Sequence, residues 1–227
     1  KPCDELAGDG LNIIPLGNGQ VGFYILDVSG HGVAAALLSV TLSRLLSSPS
    51  EPSSILIRDG AVGDRFEITP PAEVADRLNR LFPFDAATSQ FVTMVYGILT
   101  ITTGEFRYVA TGHPGPVHLP SGADPVILES DGFPIGMANE AYEERSIRLA
   151  AGDRMYLYSD GIPEAMSPAS NQFGSSRLLE SMSRHRSASL QKSVDDLLLE
   201  TTHWQGSAAP LDDLSILAVE VSIPPDL

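Results

Sequence analysis

Apolar and polar positions alternate or run together in short blocks along this chain, and the blocks define its elements. Residues 11–16 (LNIIPL) and 20–27 (QVGFYILD) read as two strands, joined by the tight-turn sequence Gly17-Asn18-Gly19. The period then changes. Over 33–47, Leu38, Leu42, Leu45 and Leu46 share one helical face while Ser39, Ser43 and Ser47 share another. Residues 47–70 mix Ser, Pro and Gly and predict a long irregular connection with one short strand. A helix follows at 71–82, with Ala72, Ala75, Leu78, Leu81 and Phe82 expected to face inward. Strand patterns return at 90–101, 104–112, 116–120 and 125–129, then at 145–149 and 153–160 across the turn Ala150-Ala151-Gly152. Two helices are expected between 175 and 203, split near SRHRSAS, and a last strand at 214–223. Strands joined by short turns, without βαβ alternation, favour an antiparallel α+β sandwich over a parallel sheet.

The carboxylates sit at informative places in this pattern. Asp27 ends an apolar strand and is followed by Val-Ser-Gly-His-Gly, and Asp160 ends MYLYSD and is followed by Gly161. Asp9 begins the first strand, and Asp212, with Asp213 beside it, begins the last. In an antiparallel sheet the end of one strand lies beside the start of its neighbour, so these four can converge on one rim. Taken singly, each has a plain reading as a turn former or solvated charge. Gathered together they would repel one another, and a divalent cation removes that repulsion. Carboxylate and carbonyl oxygens suit Mg²⁺ or Mn²⁺, and two such ions roughly 3.5–4 Å apart can activate a water and clamp a phosphoryl oxygen.

Charge narrows the options further. Against 29 acidic residues stand 14 basic ones, for a net charge of −15, a field that repels nucleic acid and anionic lipid. No run of 18 apolar residues occurs, so no membrane span is expected. Cys3 is the single cysteine, which excludes an intrachain disulfide and points to a reducing, cytoplasmic setting. It also lacks the arginine spacing of a cysteine phosphatase loop. The chain starts at Lys1 with no signal segment, which suggests one domain, 1–227, excised from a longer regulatory protein.

Several blocks together resemble a known family. AGDG (7–10), LDVSGHGVAAALL (26–38), FVTMVYGIL (91–99), FRYVATGHPGPVHL (106–119), GFPIGM (132–137), LAAGDRMYLYSDGIPEA (149–165), QFG (172–174) and APLDDLSILAVEV (209–221) follow the order found in metal-dependent Ser/Thr protein phosphatases of type 2C. Within them the chain is similar to the bacterial SpoIIE/RsbU-type branch. The resemblance implies an αββα sandwich of two antiparallel sheets flanked by helices, with two Mn²⁺ or Mg²⁺ ions at one rim. It assigns metal binding to Asp9, Asp27, the Val28 carbonyl, Asp160 and Asp212, with Asp27 bridging both ions and Asp213 a less secure ligand. It departs at Asn12, where many relatives carry a second aspartate.

The implied reaction is attack by a metal-activated water on a phosphoserine or phosphothreonine monoester. The implied substrate is an anti-sigma-factor antagonist, with an upstream receiver or sensor domain as regulator and the 33–47 helix as its route. His31 and His113 each suit a proton donor to the leaving alkoxide, but the plainer reading is a hydrogen-bonded turn residue. A haloacid-dehalogenase-type site would need an aspartate where Ser29 stands, and no Gly-x-Ser-x-Gly elbow marks these turns. The rival from another class is a non-catalytic binding module on the same fold.

Overall fold

The computed structural model describes residues 8–30, 32–58, 67–84, 89–206 and 212–222. They form β1 (Gly10–Gly17), β2 (Gln20–Val28), α1 (Val33–Leu45), β3 (Ile57–Arg58), β4 (Glu67–Ile68), α2 (Pro71–Leu81), β5 (Val92–Thr100), β6 (Glu105–Thr111), β7 (Val117–Leu119), β8 (Val126–Ile127), β9 (Arg145–Arg148), β10 (Arg154–Tyr158), α3 (Gly174–Arg184), α4 (Leu190–Gln205) and β11 (Ile216–Glu220). The described residues divide into two compact units. One runs up to His113 and includes Ser130–Arg148; the other holds Pro114–Glu129 and the described residues from Leu149 onward. None of the helices among the described residues is long and apolar enough to cross a membrane.

The first unit is built on an antiparallel sheet in the order β1-β2-β5-β6-β9, with α1, α2 and the small β3-β4 pair beside it. On β2, Tyr24, Leu26 and Val28 project to one face and join Leu42, Leu46, Val74, Leu78, Met94 and Tyr96 in a core packed by both helices. Phe23 and Ile25 project to the other face, where Phe23 stacks on Phe106 at 5.0 Å between ring centroids. The five residues from Gly22 to Leu26 are all buried, so this strand is apolar on both faces for a structural reason. Each Leu buried in the α1 contact contributes about 1.5–3 kcal/mol. Helix α2 starts on Pro71 at its first turn, where a missing N–H costs nothing, and Glu73 there binds Arg77 at 2.9 Å.

The second unit carries the sheet β11-β10-β7-β8 with α3 and α4. β10 is buried along its whole length, and Tyr156 and Tyr158 pack with Phe173, Leu178, Met182 and Leu197 from the helical side. Arg154 anchors the α3–α4 connection: it donates to Glu220 at 2.5 Å and to the Ala188 carbonyl at 2.6 Å. Ser189 caps α4 by accepting from the Lys192 N–H.

Four local expectations change. Ser39 is buried rather than outward, because α1 lies so close to β1 that only a small side chain fits over Gly10. Leu81 is 55% exposed, since α2 ends on it and no later turn carries it inward. The 47–70 connection holds two short strands, not one. The turn at 150–152 joins strands that do not pair: β9 lies against β6, and β10 between β7 and β11. Burial separates them, because β9 alternates while β10 is buried at every position.

Asp153 closes that same turn. It accepts N–H bonds from Ala150 and Ser121, both at 2.9 Å, and a ring N–H from His118 at 2.9 Å. Burial alone would raise its pKa, but these donors outweigh burial and hold it below the ordinary 3.8. Its carboxylate therefore stabilises the fold above about pH 4, and that contribution fades as pH falls through the lowered native value. Asp153→Asn should lower the melting temperature at pH 7, with a smaller gap to the parent at pH 3; thermal denaturation at both pH values checks this.

Candidate metal and phosphate site

The first cluster is made by strand register. β1 and β2 are antiparallel with Gly10 opposite Leu26, which sets Asp9, one residue earlier, against Asp27, one residue later. Both are partly buried. Gly8 packs directly on this pair: a Cβ there would lie 2.9 Å from the Val28 carbonyl oxygen and 3.3 Å from Asp27 Oδ1. A glycine is thus needed to let the chain pass over two of the expected oxygen donors. After Val28, Ser29 ties the strand end to β5 twice, its N–H donating to the Phe91 carbonyl at 3.0 Å and its hydroxyl accepting the Phe91 N–H at 2.8 Å. The chain then enters α1.

The second cluster is tied by Ser159, which is 1% exposed. Its hydroxyl donates to the Asp213 carbonyl and accepts the Ser215 N–H, each at 2.9 Å, while its own N–H donates to the Ser215 carbonyl at 3.0 Å. The segment bearing Asp160 is thereby fixed to the segment bearing Asp212 and Asp213. Asp160 has its pKa raised, first by burial, then by the charge of Asp212 and of Glu164. Asp212 is exposed and its Oδ1 accepts the Asp213 N–H at 2.8 Å. Asp213 is buried. A methyl group on Gly161 would run into the Asp213 carbonyl oxygen, backbone against side chain. Gly161→Ala should therefore cost about 1–3 kcal/mol, as overpacking does. It should spread the Asp160–Asp212 pair, read as a lower melting temperature and weaker Mn²⁺ binding.

The structure thus brings Asp9 to Asp27 and Val28 in the first unit, and Asp160 to Asp212 in the second. Neither unit gathers three or more His, Cys, Asp or Glu side chains into one metal-holding group among its described residues. Asn12, at the point of departure from the family pattern, is exposed and its side chain accepts the N–H of Ile13. His31 lies outside the described residues. His113 is 2% exposed and its Nδ1 lies 2.9 Å from Thr93 Oγ1, a buried hydrogen-bonded position as the plainer reading had it. Ser159, Ser29 and Thr93 carried no signal in the sequence, because isolated hydroxyl residues at strand ends are common and their partners lie far along the chain.

The family model for Stage II sporulation protein E (SpoIIE) matches residues 17–222. The phosphoserine phosphatase RsbP of Bacillus subtilis is 23% identical over 222 residues, covering 96% of this chain and 50% of RsbP. Among solved structures, the SiaA-PP2C domain of Pseudomonas aeruginosa superposes with a TM-score of 0.77 at 19% identity, over 97% of this chain and 83% of that one. RsbX, solved in complex with magnesium, has a TM-score of 0.63 at 12% identity, over 95% of this chain and 87% of RsbX. The chain spans about a third to a half of the length of the curated relatives it matches. With antiparallel sheets and four helices among the described residues, and a match that takes in Asp27, Asp160 and Asp212, this chain belongs to the SpoIIE family, whose fold is that of the type 2C protein phosphatases.

Proposed function

We propose that this chain is a metal-dependent phosphatase domain that hydrolyses phosphoserine or phosphothreonine on a regulatory protein. The observation that carries the reading is the pairing of carboxylates, Asp9 with Asp27 and Asp160 with Asp212, inside a SpoIIE-family match. Two divalent cations, Mn²⁺ or Mg²⁺, fit this donor set. Its oxygens are hard, burial and then the charge of Asp212 raise the Asp160 pKa, a cost that a cation would relieve, and Gly8 leaves the Val28 carbonyl and the Asp27 carboxylate uncrowded. Asp9, Asp27, the Val28 carbonyl, Asp160 and Asp212 would hold them. When bound, the cations supply positive charge for the phosphoryl oxygens and make water a nucleophile at neutral pH.

The protein's own residues do the rest. Many of its cations are already committed to carboxylates: Arg58 and Arg77 to Glu73, Arg107 to Glu144, Arg145 to Asp131, Arg154 to Glu220 and Lys192 to Asp196. An acidic protein with its arginines so engaged depends on metal charge to receive a phosphate. Ser29 and Ser159 hold the two strand ends rigid, so the carboxylates need not reorganise when charge develops.

The substrate that fits the family is an anti-sigma-factor antagonist, a small cytoplasmic protein phosphorylated on Ser or Thr, with a receiver or sensor domain upstream as regulator. Helix α1 leaves the Asp27 turn with Val33, Leu37 and Val40 exposed, an apolar face suited to such a regulator. The test uses p-nitrophenyl phosphate with Mn²⁺, with and without EDTA, followed by the phosphorylated antagonist read by intact mass. Turnover that EDTA abolishes is expected. A folded protein silent with every divalent cation would overturn the reading and favour a binding module.

A further inference from the structure

We propose that Thr93 and His113 are positioning residues for the Asp27 carboxylate, an inference that rests on the metal-site reading above. Thr93 lies directly across the β2–β5 ladder from Asp27. Side chains so placed leave the same face of the sheet with Cβ atoms roughly 4.5–5.5 Å apart, close enough for a hydroxyl to reach a carboxylate. On the far side of Thr93, His113 follows the end of β6 and sets its Nδ1 2.9 Å from Thr93 Oγ1. Asp27, Thr93 and His113 therefore form one row across three neighbouring strand ends.

The imidazole is an expensive group to hide for packing alone. His113 is 2% exposed, and a buried polar ring costs stability unless it is hydrogen-bonded. Its backbone is held as firmly as its ring: the Ser130 hydroxyl donates to the His113 carbonyl, and the Gly112 N–H donates to the Gly132 carbonyl at 2.6 Å. The β-branch of a threonine restricts its χ1, and its staggered rotamers differ in where they set the methyl and hydroxyl groups. The bond to His113 selects the one that turns the hydroxyl along the row. With the ring proton on Nδ1, His113 donates to Thr93 Oγ1, and the threonine proton is left for Asp27. Outer partners of this kind orient metal-binding carboxylates, and their removal weakens metal affinity by about 10–100-fold.

The experiment measures Mn²⁺ binding to the whole chain by calorimetry, with the metal-free melting temperature recorded for every variant. Thr93→Val keeps the shape and strand preference of the residue and removes only the hydroxyl. It should weaken Mn²⁺ binding about 10-fold, measured well below the melting temperature, and should also lower the metal-free melting temperature because the buried His113 ring loses its bond to the hydroxyl; Thr93→Ser should restore both. His113→Leu should behave as Thr93→Val does, and His113→Asn, which keeps a hydrogen-bonding atom near the Nδ1 position, should retain affinity close to the parent. If His113→Leu does not fold, the two Thr93 variants decide. Asp27→Ala serves as the control. Should the parent fail to bind Mn²⁺, or Asp27→Ala bind it as the parent does, the metal-site reading falls and this inference with it. Should Asp27→Ala lose Mn²⁺ while Thr93→Val binds it like the parent, the positioning role alone is overturned.

Discussion

Asp27→Ala should lower kcat/KM on p-nitrophenyl phosphate by about 10³-fold or more, while the protein remains folded. The size follows from the charge stabilisation that bound cations provide, several kcal/mol at 1.36 kcal/mol per decade of rate. Folding should survive because Asp27 is the penultimate residue of β2, partly exposed, and not among the residues of the helix-covered core. Circular dichroism and metal-free thermal denaturation would check the fold, and steady-state kinetics across a Mn²⁺ series the activity. Retained activity at saturating Mn²⁺ in a folded variant would remove Asp27 from the site. The neighbouring Val28 carbonyl cannot be deleted by side-chain substitution, so Gly8→Ala is the corresponding probe of that oxygen. Its methyl group would crowd both donors.

Asp160→Asn should move stability and activity in opposite directions. The raised pKa of Asp160, due first to burial and then to Asp212 and Glu164, means that the folded protein binds this proton more tightly than the unfolded chain does. Above the raised value the ionised carboxylate destabilises the metal-free fold, and that cost disappears as pH falls through it. In EDTA at pH 7 the asparagine variant should therefore melt above the parent, and the gap should narrow on acidification. With Mn²⁺ at about 100 times its Kd, the parent gains roughly 2.7 kcal/mol from binding, or about 5–10 °C in melting temperature. The variant should gain far less and should have lost turnover. A parent that melts higher than Asp160→Asn in EDTA would contradict the proposed strain.

Both experiments probe one construction principle. Carboxylates are held near strand ends by hydroxyl and backbone bonds, Ser29 to Phe91 in one unit and Ser159 to Asp213 and Ser215 in the other. The energy that orders them comes from the adjoining cores, the cluster holding Leu42 and Leu78 in one unit and the cluster holding Leu178 and Leu197 in the other. Stability is concentrated where the chain is apolar, and the carboxylate pair of each unit depends on it.

Much of this was legible in the chain before any fold was known. Alternation and helical period place every long element within a few residues, because these patterns reflect local geometry and one-sided burial. The same patterns put Asp9, Asp27 and Asp160 within two residues of strand ends, whereas Asp212, expected to begin the last strand, lies four residues before β11, and the flanking motifs carry the family resemblance. Other features were invisible for a common reason. That Asp9 faces Asp27 depends on β1–β2 register, that Thr93 meets both Asp27 and His113 depends on which strands flank β5, and that Ser159 grips Asp213 joins residues 54 apart in the chain. Ser39 is buried because of how closely α1 approaches Gly10, and β9 and β10 part company despite a short turn. The sequence by itself determined which residues could bend, bury or bind. Which of them meet was decided only by tertiary structure, because neighbours across a sheet are chosen by packing of distant segments and not by spacing along the chain.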